Sequence, residues 1–167
     1  MPNVTIAERI ERRILSVASG ITGVTRATRW GIPTASDGTE EYRAGQVIVF
    51  PQSDTPRNNV SGVVGCVESE KTVTVAVVLG TNEAAGGVEI AKQRTSWIGL
   101  LRTTFLALSG RLTETGGTIL TVDMLCEEDN TGEIADGVSV AAISLRCIYR
   151  TSLTDPTSYD TLITASA

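Results

Sequence analysis

The chain has 167 residues, 41% of them hydrophobic and 20% charged, with 16 glycines, no histidine and a formal net charge of −5. That size and apolar content suit one domain over residues 1–167 with a single core, and exclude disorder of the whole chain. The acidic balance removes any global attraction to nucleic acid or to an anionic membrane, and the missing imidazole removes the commonest general base and zinc ligand.

No apolar run approaches the roughly 18 to 20 residues that cross a bilayer, and the N-terminus has no basic segment followed by an apolar one. A soluble protein without a signal peptide is expected. Cys66, Cys126 and Cys147 are odd in number and widely spaced, which points to free thiols in a reducing compartment and to no zinc cluster. Neither a metal nor a cofactor is expected.

In chain order, Thr5-Ile6-Ala7-Glu8 is a capping box, so a helix should begin there. Ile6, Ile10, Ile14, Val17 and Ile21 share its apolar stripe, Glu8, Arg9, Glu11, Arg12 and Arg13 occupy its solvated side, and Gly20 marks its end. A strand follows over Val24–Trp30, broken at Gly31, Ile32 and Pro33, and Thr34–Ala44 reads as an exposed hairpin or loop around Asp37-Gly38. Gln46–Phe50 is a strand that Pro51 should stop, and polar, aperiodic Gln52–Asn59 is the clearest loop of the chain, a place for a partner contact. Val60–Val67, with Gly62 and Gly65, predicts a weak or bulged edge strand, and Glu68–Lys71 a turn.

Thr72–Leu79 is the surest strand, with Val73, Val75, Val77 and Leu79 on one face, and should be central. Gly80–Gly87 links it to the longest helical pattern. Neither GxGxxG nor a GxxxxGK phosphate loop accompanies Gly86-Gly87, so nucleotide binding has no support. From Val88 to Leu108 the stripe Ile98, Leu101, Phe105 and Leu108, continued by Leu112 and widened by Trp97 and Leu100, predicts the main helix over the sheet, with Gly110 as a left-handed cap. Thr113–Gly117 is a turn and Thr118–Cys126 a strand with Leu120, Val122 and Met124 on one side. Glu127–Gly137 reads as an acidic loop. Val138–Thr151 is a long strand with Ala141, Ile143, Leu145, Cys147 and Tyr149 inward and Ser144, Arg146 and Arg150 outward. A polar tail runs from Ser152. The expected fold is therefore α+β: a mainly antiparallel sheet of about five strands, two helices on one face, order α-β-β-β-α-β-β.

Glu127, Glu128, Asp129, Glu133 and Asp136 offer oxygens to a hard cation, but without EF-hand spacing a solvated acidic surface is the plainer reading. Carboxylates for glycoside hydrolysis would have few aromatics for a sugar platform. Arg9, Arg12, Arg13, Arg26 and Arg29 read as a solvated basic face or as a contact to an acidic neighbouring subunit.

The chain resembles the tail terminator (tail completion) proteins of long-tailed bacteriophages. The resemblance rests on the helix Ile6–Ile14 leading into Gly-Val-Thr-Arg, the late helix before a Gly-Gly turn, and the last strand ending Ile148-Tyr149-Arg150-Thr151 with Thr154-Asp155-Pro156 beyond. It covers nearly the whole chain and contains no catalytic signature, while Pro33–Ala44 and Gln52–Asn59 look long for the family. It implies a virion subunit, assembled in the host cytoplasm, whose hexameric ring caps the head-proximal end of the tail. Its partners would be copies of itself, the tail tube protein and a head-tail connector or neck protein, with DNA only in passage through the lumen and no membrane. Glu127, Glu128, Asp129, Glu133 and Asp136 are then the candidate lumen or partner-contact loop. A neck or head-completion ring, or another tail ring, fits the same features, and a small-molecule-binding or enzymatic α+β domain remains an alternative of another class.

Overall fold

The computed structural model describes residues 4–29, 42–57, 66–81, 87–135, 138–152 and 157. Its elements are α1 (Ile6–Ser19), β1 (Arg26–Arg29), β2 (Gln46–Pro56), β3 (Cys66–Thr81), α2 (Gly87–Leu106), β4 (Asp123–Ala135) and β5 (Val138–Ser152). The strands form one five-stranded sheet in the order β1-β2-β3-β5-β4. Every pairing is antiparallel except β1 with β2, which is parallel. The fold is the expected α+β arrangement, with both helices on one face of the sheet.

Alternation places the core. Val73, Val75 and Val77 of β3 and Ile143, Leu145 and Cys147 of β5 point toward the helices and are fully buried, as a period of two requires of a half-covered sheet. Ile6, Ile10, Ile14 and Ala18 of α1 and Leu101 and Phe105 of α2 close over them. The Thr5 hydroxyl accepts the Glu8 N–H at 3.3 Å and starts α1 as the capping box predicts. Gly110 has φ +75°, the left-handed conformation expected of it, although α2 itself ends at Leu106 and Ser109, at φ +53°, is left-handed too. Leu112 and Leu120 are buried beyond the helix, while Ile98 and Leu108 are only partly covered and Leu100 faces outward.

Gly45 shows why β1 can lie parallel beside β2. At φ +78°, a Cβ there would sit 2.6 Å from the Gly23 carbonyl. Only glycine permits this approach, and it lets Thr25 N–H donate to the Gly45 carbonyl at 3.0 Å.

Five sequence expectations are corrected. Gln52–Pro56 is not a loop but the second half of β2, which passes Pro51 through a bulge between Pro51 and Ser53. Proline is tolerated because β1 pairs with β2 only as far as Val49, so the missing N–H costs no ladder bond to β1. Glu68–Lys71 is not a turn: β3 runs unbroken from Cys66 to Thr81. Of the expected edge strand Val60–Val67, Cys66 and Val67 open this central strand, and residues 60–65 lie outside the described residues, as do most of Thr34–Ala44 and the C-terminal tail. Thr118–Val122 is not strand but the far arm of a small hairpin closed by Thr113 and Ile119. Lastly, Glu127–Ala135 is not a loop. It is the greater part of β4, drawn into extended backbone by pairing with β5 and bulged at Cys126/Glu128 and Glu133/Ala135. Strong partner strands override weak local propensity in this way.

Candidate functional site

The predicted acidic residues occupy the edge of the sheet. Glu128, Asp129 and Glu133 stand opposite Ser144, Ile143 and Ser139 of β5. Asp136 lies outside the described residues. At about 3.4 Å per residue a strand spreads such groups along a line instead of converging them; among the described residues no three Asp, Glu or Cys side chains gather as metal ligands. Glu127 turns to the sheet face away from the helices and pairs with Arg146 Nε at 2.8 Å.

That outer face carries a charge lattice. Glu68, nearly buried, accepts from Arg57 at 2.9 Å and from Arg150 at 3.0 Å, and Glu70 lies within 4.0 Å of both Arg57 and Arg146. Further along the same two strands the cross-strand pairs become Thr74 with Ser144, Ala76 with Ala142 and Val78 with Val140. The face thus grades from ion pairs through hydroxyls to an apolar cluster of Ile48, Val78, Val138 and Val140.

A second network lies between α1 and the sheet. Lys71 Nζ pairs with Glu11 Oε1 at 2.7 Å, and both side chains are almost wholly buried. Arg29 reaches the other oxygen of Glu11 at 3.5 Å and Glu8 at 3.1 Å. Asp54 approaches Lys71 at 3.8 Å and accepts the Tyr149 hydroxyl at 2.7 Å. Sequence reading put Glu11 on the solvated side of α1 and Lys71 in a turn. The signal was present: Lys71 precedes Val73, Val75 and Val77 in the same alternation, and Glu11 lies between Ala7, Ile14 and Ala18 at helical spacing. A cleft of about 310 Å³ opens beside Asp54, Ser69 and Tyr149.

The chemistry of these groups is muted. Burial, then the hydrogen bond to Asp54, pushes the Tyr149 hydroxyl well above its ordinary pKa, so it stays protonated. Burial likewise pushes the Cys147 thiol up to about 12, away from the reactive thiolate. The expected basic face is also largely spent within the chain. Arg9 grips Glu114 with two nitrogens, its Nε at 2.7 Å from Oε1, and this holds the Glu114 carboxyl below its usual range. Arg12 and then Arg29 do the same for Glu8.

What remains open is surface. Val88, Leu100 and Leu106 of α2 are 73%, 39% and 63% exposed. Between them Thr95 and Thr103 turn their hydroxyls back to the Ala91 and Gly99 carbonyls at 3.1 and 2.8 Å, which leaves these helix polar groups internally satisfied. Gly99 is exposed, and a side chain there would meet nothing within 4 Å. The other open surface is β4, which pairs with β5 alone among the described strands. No family model matches the chain, and no curated protein is significantly similar to it.

Proposed function

We propose that this chain is a tail-terminator-like ring subunit of a long-tailed bacteriophage, capping the tail tube at its head-proximal end, ending tube growth and joining the tail to the head connector. One observation carries the reading: the interior titratable groups are paired or held protonated, while the surfaces left open, a 13-residue edge strand and the outer side of a 20-residue helix with Val88, Leu100 and Leu106 exposed, have the length and character of protein contacts. The element order α-β-β-β-α-β-β agrees with the sequence resemblance. A closed ring gives each such surface a partner in the neighbouring copy.

The cleft beside Asp54 and Tyr149 favours a second reading, a small-ligand pocket, since its volume is at the low end of such sites. The pairing of Tyr149 with Asp54 and of Lys71 with Glu11 leaves it few polar groups to offer. The test is an assembly reaction with the tail tube protein of the same phage. Adding this chain should arrest tubes that otherwise keep lengthening; tubes that grow unchecked in its presence would contradict the reading.

A further inference from the structure

The two edges of the sheet differ in length and in charge. β4 carries Asp123, Glu127, Glu128, Asp129 and Glu133 and no basic residue, whereas β1 carries Arg26 and Arg29 and no acidic one. The rows of the sheet link these edges directly: Arg29 stands beside Val49, Val49 beside Val75, Val75 beside Ile143, and Ile143 beside Asp129. One transverse row therefore begins at an arginine and ends at an aspartate. Following the pairings across the sheet, β1 and β4 run in opposite directions. A second copy placed alongside by translation sets its β4 antiparallel to β1, the pairing sense that bonds slightly better per residue.

From these two edges we infer that copies of this chain associate head to tail, the acidic β4 edge of one against the arginine-bearing β1 edge of the next. This rests on the ring reading above and adds which surfaces meet. Like charges on β4 oppose pairing of two β4 edges, the self-complementary alternative that would stop at a dimer. Opposite charges on the two ends of one sheet favour a contact that repeats, and the accumulated twist of successive sheets turns such a repeat around an axis. Arg29 is already shared with Glu8 and Glu11 within the chain, so exposed Arg26 is the residue best placed to meet an incoming acid, and its own row, followed through Val78 and Val140, ends at Gly132 beside Glu133.

The test is charge reversal in two complementary full-length variants at the Arg26 row, Arg26→Glu and Glu133→Lys, followed by native mass and sedimentation. Each variant alone should associate on the order of tenfold or more weakly than the unaltered chain, because each then opposes like charges. An equimolar mixture of the two should associate again, since every edge finds an opposite. Thermal unfolding checks that both variants fold, and a salt titration of the unaltered chain, which should weaken its association, tests the same contact without substitution. The inference is overturned if either variant assembles like the unaltered chain, if the mixture stays apart, or if the unaltered chain is a monomer at every concentration and salt. A hexameric ring indifferent to the reversals would remove the edge pairing and leave the functional proposal standing. Reversals that act on an open filament would keep the edge pairing and remove the terminator reading.

Discussion

The two helices cover the same face of the sheet and differ in what they leave outside. α1 buries Ile6, Ile10, Glu11, Ile14 and Ala18 in only 14 residues, and most of its outward charges are taken up within the chain by Arg29, Glu114 and the Glu8–Arg12 pair. In α2, with 20 residues, Ile90, Leu101 and Phe105 are the buried large side chains, and the exposed remainder sets Val88, Leu100 and Leu106 among small residues and the scattered charges Glu89, Lys92 and Arg102. The contrast teaches that amphipathicity has two kinds of outer face. One dense in internally paired charge ends the protein at solvent, while one with exposed aliphatic side chains leaves area that a neighbour can cover.

The comparison breaks first at Phe105. Since few large side chains anchor α2, Phe105→Ala should destabilise the fold by about 3–5 kcal/mol in chemical denaturation; unchanged stability would mean that α2 is not part of the core. Next is the buried pair under α1. Lys71→Met takes from the buried Glu11 its 2.7 Å partner and should cost about 3 kcal/mol, whereas Lys71→Met with Glu11→Leu should recover most of the loss. Failure of the double variant to recover would show that the pair is not what fixes α1 at that point.

A smaller effect comes from Arg9 and Glu114, which tie α1 to the turn after α2. Glu114 has its folded pKa lowered by Arg9, so its contribution is present above the ordinary carboxylate pKa and is lost as pH falls through the lower folded value. Glu114→Gln should therefore cost about 1 kcal/mol at neutral pH, discounted for partial exposure, and the deficit should shrink in acid. A deficit that grows in acid would contradict this. The smallest effect sharpens the contrast most. Gly99→Ala should stabilise the isolated chain by about 0.5–1 kcal/mol through helix propensity, as nothing among the described residues opposes a methyl there. If the same variant assembles less well than the unaltered chain, a neighbour approaches α2 at Gly99.

The parts legible in the sequence are those whose period is set by the core. α1 was marked by its capping box and isoleucine stripe, and β3 and β5 by strict alternation around Val75 and Ile143. The segments misread share one cause. Glu68–Lys71, Gln52–Pro56 and Glu127–Ala135 are polar strands fixed by the strands they pair with, near in the chain for Ala135 with Val138 and far for Glu68 with Arg150, and local composition reports turn chemistry where that pairing decides the backbone. The acidic residues of the candidate site were visible as chemistry, but their arrangement along a sheet edge depended on β5. The Lys71–Glu11 pair shows in the sequence only through the spacing of its apolar neighbours, because each residue alone looks solvent-bound.

The most direct measurement is the native mass, with single-particle images, of the unaltered 17.6 kDa chain, alone and with the tail tube protein. A closed hexameric ring, in solution or seated on the tube end, is the predicted result. A monomer under both conditions, or an open filament that never closes, would contradict it.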